Sequence, residues 1–257
     1  MENEAKAKQV LLKMFEIVEA CTHRPSRECF NQLVRFLADC ARVHPMPESD
    51  HLVADKLIPL AEAYIKACYE RPWDYLGDVF AEKNCANEGL GQVMTPEPIV
   101  RFINESVLGQ LKEDEDRWKL ALDPCTGTGR FLVDAATHYP DQKLALYGVE
   151  IDLDIYRAAL VNMRTYCCLR PYRILCADAL VVNIRLDSPN WRYANLWEPP
   201  NWEEHMEIEG GGTYAEWLKE HPTKDQPAKE RAQERQPKPN GTKRKDKQLI
   251  LFSREEW

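Results

Sequence analysis

Between residues 119 and 177 the sequence alternates short apolar runs with amphipathic segments, and this alternation restricts the fold more than any other feature. The apolar runs predict three strands, at residues 120–122, 144–149 and 172–177. Helices are predicted after the glycines at 127 and 129 and again from 152 to about 167. Strands and helices at this spacing form parallel βαβ units with right-handed crossovers. We therefore predict an α/β fold with a doubly wound sheet.

The first 88 residues predict a helical subdomain. Apolar residues recur at helical spacing between residues 10 and 18. A second helix is predicted to begin with Ser26 as its N-cap, a third near Asp50, and a short helical piece covers residues 73–80. Nothing in this segment indicates chemistry of its own.

The α/β domain is predicted to cover residues 89–221. Near its start, Thr95 and Pro96 form a cap and first-turn pair, which predicts a helix to about residue 108 that Gly109 ends. The last part of this range, 213–221, predicts one further short helix.

The charge is distributed unevenly along the chain. The net charge is −8, from 34 basic and 42 acidic residues, which argues against a uniformly basic nucleic-acid binder. Residues 222–248, however, hold nine Lys or Arg and four Asp or Glu, a local charge of +5, with no large apolar side chain. This composition predicts a disordered basic linker. Residues 249–257 are predicted to form a short C-terminal segment, and residues 248–252 could supply one strand at most.

Composition excludes several classes of protein. The chain is 44% hydrophobic and 30% charged, as globular proteins are. No apolar run is long enough to span a bilayer, and the N-terminus has no secretory h-region, so we expect a cytoplasmic protein without membrane contact. The nine cysteines then read as reduced thiols, and neither they nor the histidines have metal-ligand spacing.

Acidic residues end each of the three predicted strands: Asp123, Glu150 and Asp178. Open α/β sheets bind ligands beyond the carboxyl ends of their strands, so we expect these side chains to meet at one site. Glu150 can accept hydrogen bonds from the two ribose hydroxyls of a nucleoside. Asp178 can accept a hydrogen bond from an adenine amino group. The glycines after Asp123 allow the backbone to approach such a ligand closely.

A nicotinamide cofactor is the first alternative for such a site. Its fingerprint requires a third glycine, where this chain has Leu132, and it binds a pyrophosphate, which Asp123 directly before the loop does not suit. An aspartate at this place better suits a cationic amino-acid end, as in S-adenosylmethionine.

Four segments together resemble the N6-adenine DNA methyltransferases, and in particular the modification subunit of type I restriction systems. The run from Asp123 to Leu132, with sequence DPCTGTGRFL, resembles the first motif of that family. The upstream run GQVMTP at 91–96, the run GVEID at 148–152 and the run ADAL at 177–180 resemble its other cofactor segments. The run DYLGDVF at 74–80 resembles the helix that precedes them.

This resemblance implies a Rossmann-like, S-adenosylmethionine-dependent methyltransferase sheet, which in this chain is shorter than a complete one. It also implies S-adenosylmethionine as the cofactor. The residues that it assigns to cofactor binding are Gln92, Thr95, Pro96, Asp123, Pro124, Cys125, Thr126, Gly127, Gly129, Phe131, Glu150, Ile151, Asp178 and Ala179.

The family's catalytic turn, Asn or Asp followed by Pro-Pro and an aromatic residue, is matched with two departures. Glu198-Pro199-Pro200-Asn201-Trp202 follows a predicted fourth strand at 193–197. Glu198 is longer than Asn or Asp by one methylene, and Trp202 stands one place after the position of the aromatic residue. The resemblance assigns Glu198, Pro199, Pro200 and Trp202 to catalysis, on a base that leaves the duplex stack.

The predicted function is methyl transfer from S-adenosylmethionine to the N6 amine of adenine in DNA. The alternative is an inactive, truncated relative that binds cofactor, DNA or a partner subunit. No segment resembles a DNA-reading module, so we expect weak DNA binding by the chain alone and recognition through a specificity subunit or a second methylase subunit.

Overall fold

The computed structural model describes residues 2–41, 53–111, 119–167, 170–180 and 195–197. These residues form seven helices and four strands, and residues Glu88–Leu90 form a 3-10 turn. The helices are α1 Glu2–Thr22, α2 Ser26–Cys40, α3 Ala54–Glu70, α4 Tyr75–Glu82, α5 Glu97–Leu108, α6 Arg130–His138 and α7 Leu153–Tyr166. The strands are β1 Lys119–Asp123, β2 Leu144–Glu150, β3 Tyr172–Cys176 and β4 Asn195–Trp197.

The sheet has the order β1-β2-β3-β4, and its first three strands are parallel. Asp123 pairs with Gly148, and Glu150 pairs with Cys176, so the ends of β1, β2 and β3 lie at one edge of the sheet. The three predicted strands and their parallel βαβ connections are confirmed, and with them the α/β fold class.

The short strand β4 runs antiparallel to β3. Trp197 pairs with Tyr172, the first residue of β3, and Asn195 pairs with Ile174. Of the strand predicted at 193–197, the last three residues form β4. Its direction, however, departs from the parallel arrangement of the other strands.

Helices α6 and α7 cover one face of the sheet. Alternate residues of β2, Leu144 and Leu146, are fully buried and share a hydrophobic core with Leu132 of α6 and Leu160 of α7. The strands of a parallel sheet are apolar, and the helices that connect them cover this apolar face.

The N-terminal helices pack on α7 rather than on the sheet. Their core contains buried aromatic residues, among them Phe15, Phe30 and Tyr64. Ile155, Ala158 and Val161, on one side of α7, belong to the same core. The predicted boundary at residue 88 therefore lies between segments that share one apolar core.

Two predicted helix caps are displaced by one residue. Pro25, not Ser26, is the N-cap of α2, and Pro96, not Thr95, is the N-cap of α5. In both cases the proline has the extended backbone that the cap position requires, with ψ of 150° and 144°, and neither helix has a side-chain cap hydrogen bond. The backbone preference of proline therefore replaces side-chain capping at these two helices.

Several predictions lie outside the described residues. They are the start of the third helix near Asp50, the helix at 213–221, the linker at 222–248 and the C-terminal segment at 249–257. Among the described helices, none is long and apolar enough to cross a membrane.

Candidate cofactor site

A cavity of about 370 Å³ lies beyond the carboxyl ends of the three parallel strands. The first strand contributes the loop that follows it, through Pro124, Cys125 and Gly127. The second strand contributes Val149, Glu150 and Ile151, and the third contributes Ala177–Leu180. Residues 90–94 and Ile155 form the rest of its wall. The volume of the cavity is within the range of natural small-molecule sites.

The structure brings eight of the fourteen predicted cofactor residues to this cavity. Those that line it are Gln92, Pro124, Cys125, Gly127, Glu150, Ile151, Asp178 and Ala179. The other six, Thr95, Pro96, Asp123, Thr126, Gly129 and Phe131, are not part of its lining. Of these, Thr126 and Gly129 are buried within the loop itself.

The loop between β1 and α6 depends on glycine at two places. Gly127 and Gly129 have φ angles of +57° and +86°, which other residues adopt only with strain. Gly129 is also the N-cap of α6, and a side chain there would meet Ala159 of α7 at 3.6 Å. The two glycines therefore allow the chain to turn sharply from the strand into the helix beside the cavity.

Glu150 is held in place by backbone amides. Its Oε2 accepts a hydrogen bond from the Gly127 amide at 2.9 Å, and its Oε1 accepts one from the Asp152 amide at 2.8 Å. Burial raises the pKa of Glu150, and these two amides oppose that shift. A carboxylate has about four acceptor positions, so Glu150 can still accept from a ligand in the cavity.

Asp178 is held by a local turn at the end of the third strand. Its Oδ1 accepts a hydrogen bond from the Leu180 amide at 2.9 Å. Both residues line the cavity, so this turn lies in the wall of the site.

Asp123 has one oxygen without a donor. Its Oδ1 accepts from the Cys125 amide at 3.1 Å, whereas Oδ2 is buried and has no hydrogen-bond partner among the described residues. Burial raises the pKa of this carboxyl group, and the Cys125 amide offsets part of the rise. A buried, ionised oxygen of this kind is costly unless a cation or donor reaches it.

Asp123 lines a second depression, a groove of about 610 Å³ beside β1. The groove is mostly apolar, with Ile103 and Val107 of α5 on one side and Leu120 and Leu122 on the other. Phe131, predicted at the cofactor site, also lies in this groove. Pro124 lines both the groove and the cavity, so Asp123 stands at the junction of the two.

All three predicted carboxylates affect the pKa of the Cys125 thiol. Its pKa is raised by burial and then by the charges of Asp123, Glu150 and Asp178. The charges of all three carboxylates therefore act on this thiol, although only Glu150 and Asp178 line the cavity. An excess of negative charge there suits a ligand that carries positive charge.

Behind the loop, a buried ion pair joins it to the helical segment. Asp74, which is fully buried, accepts hydrogen bonds from Arg130 Nε at 2.9 Å, Thr128 Oγ1 at 2.5 Å, Asn162 Nδ2 at 2.7 Å and the Gly77 amide at 2.8 Å. In the sequence, Asp74 is marked only by its place in the run DYLGDVF, and no local pattern indicates this role.

The guanidinium of Arg130 completes this network. It donates to Asp78 at 2.7 Å and to the Thr95 carbonyl at 2.7 Å, and it lies 5.0 Å from the ring centre of Trp73. Thr95 thus acts through its backbone, by fixing the segment at 90–96 against the start of α6, and not through a side chain in the cavity.

The predicted catalytic residues Glu198, Pro199, Pro200 and Trp202 lie outside the described residues. The described chain stops just before them, at Trp197, which pairs with the first residue of β3. That pairing places Trp197 at the amino end of β3, whereas the cavity lies at the carboxyl end.

In the described part of the chain, no group of three or more His, Cys, Asp or Glu side chains is arranged to hold a metal ion.

Residues 70–180 match the family model of the N-6 DNA Methylases. The match covers the Asp74–Arg130 network, the loop and all three parallel strands. It confirms the resemblance predicted from the four sequence segments. S-adenosylmethionine is the cofactor of that family, which agrees with the predicted cofactor.

Solved structures similar to this chain include the following two. One is a Listeria monocytogenes protein assigned to the class I S-adenosylmethionine-dependent methyltransferases, with 16% identity, a TM-score of 0.48 and coverage of 71% of this chain and 55% of the other. The second is the methyltransferase subunit of a type I restriction-modification system from Streptococcus thermophilus, with 18% identity, a TM-score of 0.35 and coverage of 70% and 41%. The chain thus spans about half the length of these proteins. No curated protein matches the chain.

Proposed function

We propose that this chain binds S-adenosylmethionine and transfers its methyl group to the exocyclic N6 amine of adenine in DNA. The observation that carries the proposal is the cavity at the strand ends, lined by Gly127, Glu150 and Asp178, within the segment that matches the N-6 DNA Methylase model.

The residues present fit the cofactor. Glu150, fixed by two amides, would accept from the ribose hydroxyls, and Asp178 would accept from the adenine amino group. Asp123 would use its unpartnered Oδ2 for the cationic amino-acid end. The two glycines let the backbone lie against the ligand.

The bound cofactor would supply an electrophilic methyl group on a sulfonium. The Glu198 carboxylate and the carbonyls of Pro199 and Pro200 would accept hydrogens from the target amine, which directs the nitrogen lone pair toward that methyl group. Trp202 would stack on the flipped base, which must leave the helix to be reached. The amine that accepts the methyl group would release one proton, to the Glu198 carboxylate or to water, and S-adenosylhomocysteine would be the leaving group.

Target recognition would come from a specificity subunit or a second methylase subunit. The net charge of −8 disfavours tight DNA binding by the chain alone, so the contact that the basic residues at 222–248 make with phosphate would be weak and salt-dependent.

The second candidate is a cofactor-binding relative without activity. The pairing of Trp197 with Tyr172 favours it, because the chain enters the catalytic segment from the amino edge of the sheet, opposite the cavity. The additional methylene of Glu198 favours it too, since displacements on the order of an ångström impair catalysis.

One experiment separates the two candidates. The protein is incubated at low salt with methyl-labelled S-adenosylmethionine and unmethylated duplex or single-stranded DNA, and cofactor binding and methyl transfer are measured in parallel. The methyltransferase proposal expects label in N6-methyladenine, lost in Glu198→Ala with cofactor binding retained. Binding without transfer would select the inactive relative, and absence of binding would overturn both.

A further inference from the structure

We propose that Arg27, in the first turn of α2, is a positioning residue for the nucleoside part of the cofactor site. The inference rests on the proposed function. It assigns a role at that site to the N-terminal helical segment, which from sequence alone indicates no chemistry.

Arg27 joins three segments at one point. Its Nη1 donates to the Cys85 carbonyl at 2.8 Å and to Gln92 Oε1 at 3.1 Å. Its Nη2 donates to Asp152 Oδ2 in an ion pair. The side chain of Arg27 is 28% exposed and that of Asp152 is 8% exposed, so water screens this pair less than a surface pair.

Gln92 closes a triangle with these two residues. Its Nε2 donates to Asp152 Oδ2 at 3.0 Å, and its Oε1 also accepts from the Asn87 amide at 2.9 Å. The amide group of Gln92 is thus engaged with protein groups although the residue lines the cavity. Its side chain fixes the wall at 90–94 to the start of α7.

From Asp152 the chain of contacts leads to the ligand-facing carboxylate. Asp152 Oδ1 caps α7 by accepting from the amides of Asp154 and Ile155, at 3.0 and 3.3 Å. The Asp152 amide donates to Glu150, which also accepts from Gly127. Burial would raise the pKa of Asp152, but the hydrogen bond from Gln92 and the charge of Arg27 outweigh it, so its pKa is lowered.

Arg27 itself is not part of the cavity lining, so it acts through Gln92 and Asp152. Its guanidinium holds two of the cavity walls, the segment at 90–94 and the Glu150–Asp152 turn, at a fixed separation. A planar fork with several donors can do this, whereas the ammonium group of a lysine has one point of charge.

The same helix offers a matched control. Arg35 also pairs with an acid of the first turn of α7, Asp154, at 3.3 Å, and Asp154 keeps a second partner in Arg157 at 2.6 Å. Arg35→Gln therefore removes an ion pair between α2 and α7 without touching a residue of the cavity wall.

The test measures binding of S-adenosylhomocysteine and of 5′-methylthioadenosine, which lacks the amino-acid end, by calorimetry. Arg27→Gln is expected to weaken both ligands by the same factor, about tenfold, because the support lost is that of the nucleoside site. Arg27→Lys should lose less, about threefold, since it keeps the charge but not the fork. Arg35→Gln should bind both ligands as the wild type does.

The outcomes distinguish this inference from the function on which it rests. If the wild type binds neither ligand, the proposed function falls and the inference with it. If the wild type binds and Arg27→Gln binds equally well, or loses affinity only for S-adenosylhomocysteine, the inference alone is overturned. Should Arg27→Gln fail to fold, Arg27→Lys decides: unchanged affinity would overturn the inference, and a joint loss for both ligands would support it.

Discussion

Two aspartates, on either side of the loop between β1 and α6, have opposite surroundings. Asp74, behind the loop, is surrounded by donors from Gly77, Thr128, Arg130 and Asn162. Asp123, at its front, has a buried oxygen that no described residue reaches. A buried carboxylate oxygen with donors around it is a structural element, whereas one without a donor is stabilised only when a ligand arrives.

The largest expected effect is on the compensated side. Asp74→Ala leaves the Arg130 guanidinium buried with only part of its partners, and breaking such a pair costs about 3–5 kcal/mol in the free energy of unfolding. Urea unfolding at neutral pH measures this. Glu62→Ala, on the exposed side of α3, is the control and should change stability by less than about 0.5 kcal/mol. Equal stability of the two variants would show that the Asp74 network contributes nothing.

On the uncompensated side, Asp123→Asn should separate binding from stability. The amide cannot balance a cation, so S-adenosylmethionine affinity should fall by about 1.5–3 kcal/mol, or tenfold and more. The ligand-free protein should be at least as stable as the wild type, because a buried charge has been removed. Isothermal calorimetry and thermal unfolding test the two parts. A less stable ligand-free variant would contradict the comparison.

The pH dependence of Asp123 gives a smaller signal of known sign. Its pKa is raised above the ordinary 3.8, so the folded ligand-free state holds this proton to higher pH than the unfolded chain. The free energy of unfolding of the wild type should therefore fall relative to that of Asp123→Asn as pH rises from 3.8 through the raised pKa. Well below pH 3.8 the part of this difference that depends on pH should vanish. Paired denaturation curves across this range measure it, and a difference of opposite sign would refute it.

The smallest expected effect is on Cys125. Cys125 is exposed, but partial desolvation and the carboxylates of Asp123, Glu150 and Asp178 raise the pKa of its thiol. Little thiolate is therefore present at neutral pH. Alkylation by iodoacetamide should be roughly severalfold slower than that of glutathione, and faster in Asp123→Asn, which removes the largest of the three charge effects. Peptide mass spectrometry gives both rates. A rate unaffected by Asp123→Asn would place that carboxylate too far from the thiol to matter.

The parts of this fold that could be predicted from the sequence are those that local residue patterns indicate. The apolar runs that form β1, β2 and β3, and the glycines at 127 and 129, indicate their structure by residue type alone. The acids at the strand ends followed because parallel strands share one carboxyl edge. The register of the three parallel strands places Asp123 and Glu150 at that edge of the sheet.

The parts that it did not predict depend on distant residues. Asp74 and Arg130 are 56 positions apart, and Arg27 and Asp152 are 125 positions apart, so no local period indicates either pair. The direction of β4 is of the same kind, since a three-residue strand can pair in either sense with an edge. Only the nearby prolines, Pro25 and Pro96, held a local signal that could have corrected the caps.

Helix α7 is buried on two sides, and this has a consequence for how the molecule unfolds. Ile155, Ala158 and Val161 belong to the core of the N-terminal helices, while Ala159, Leu160 and Met163 belong to the core on the sheet. Neither core can open without exposing a face of the same helix, so both should melt in one cooperative transition. A fragment that starts at residue 89 would lack the N-terminal helices and would expose the apolar side of α7 that packs on them. It would therefore be prone to aggregate.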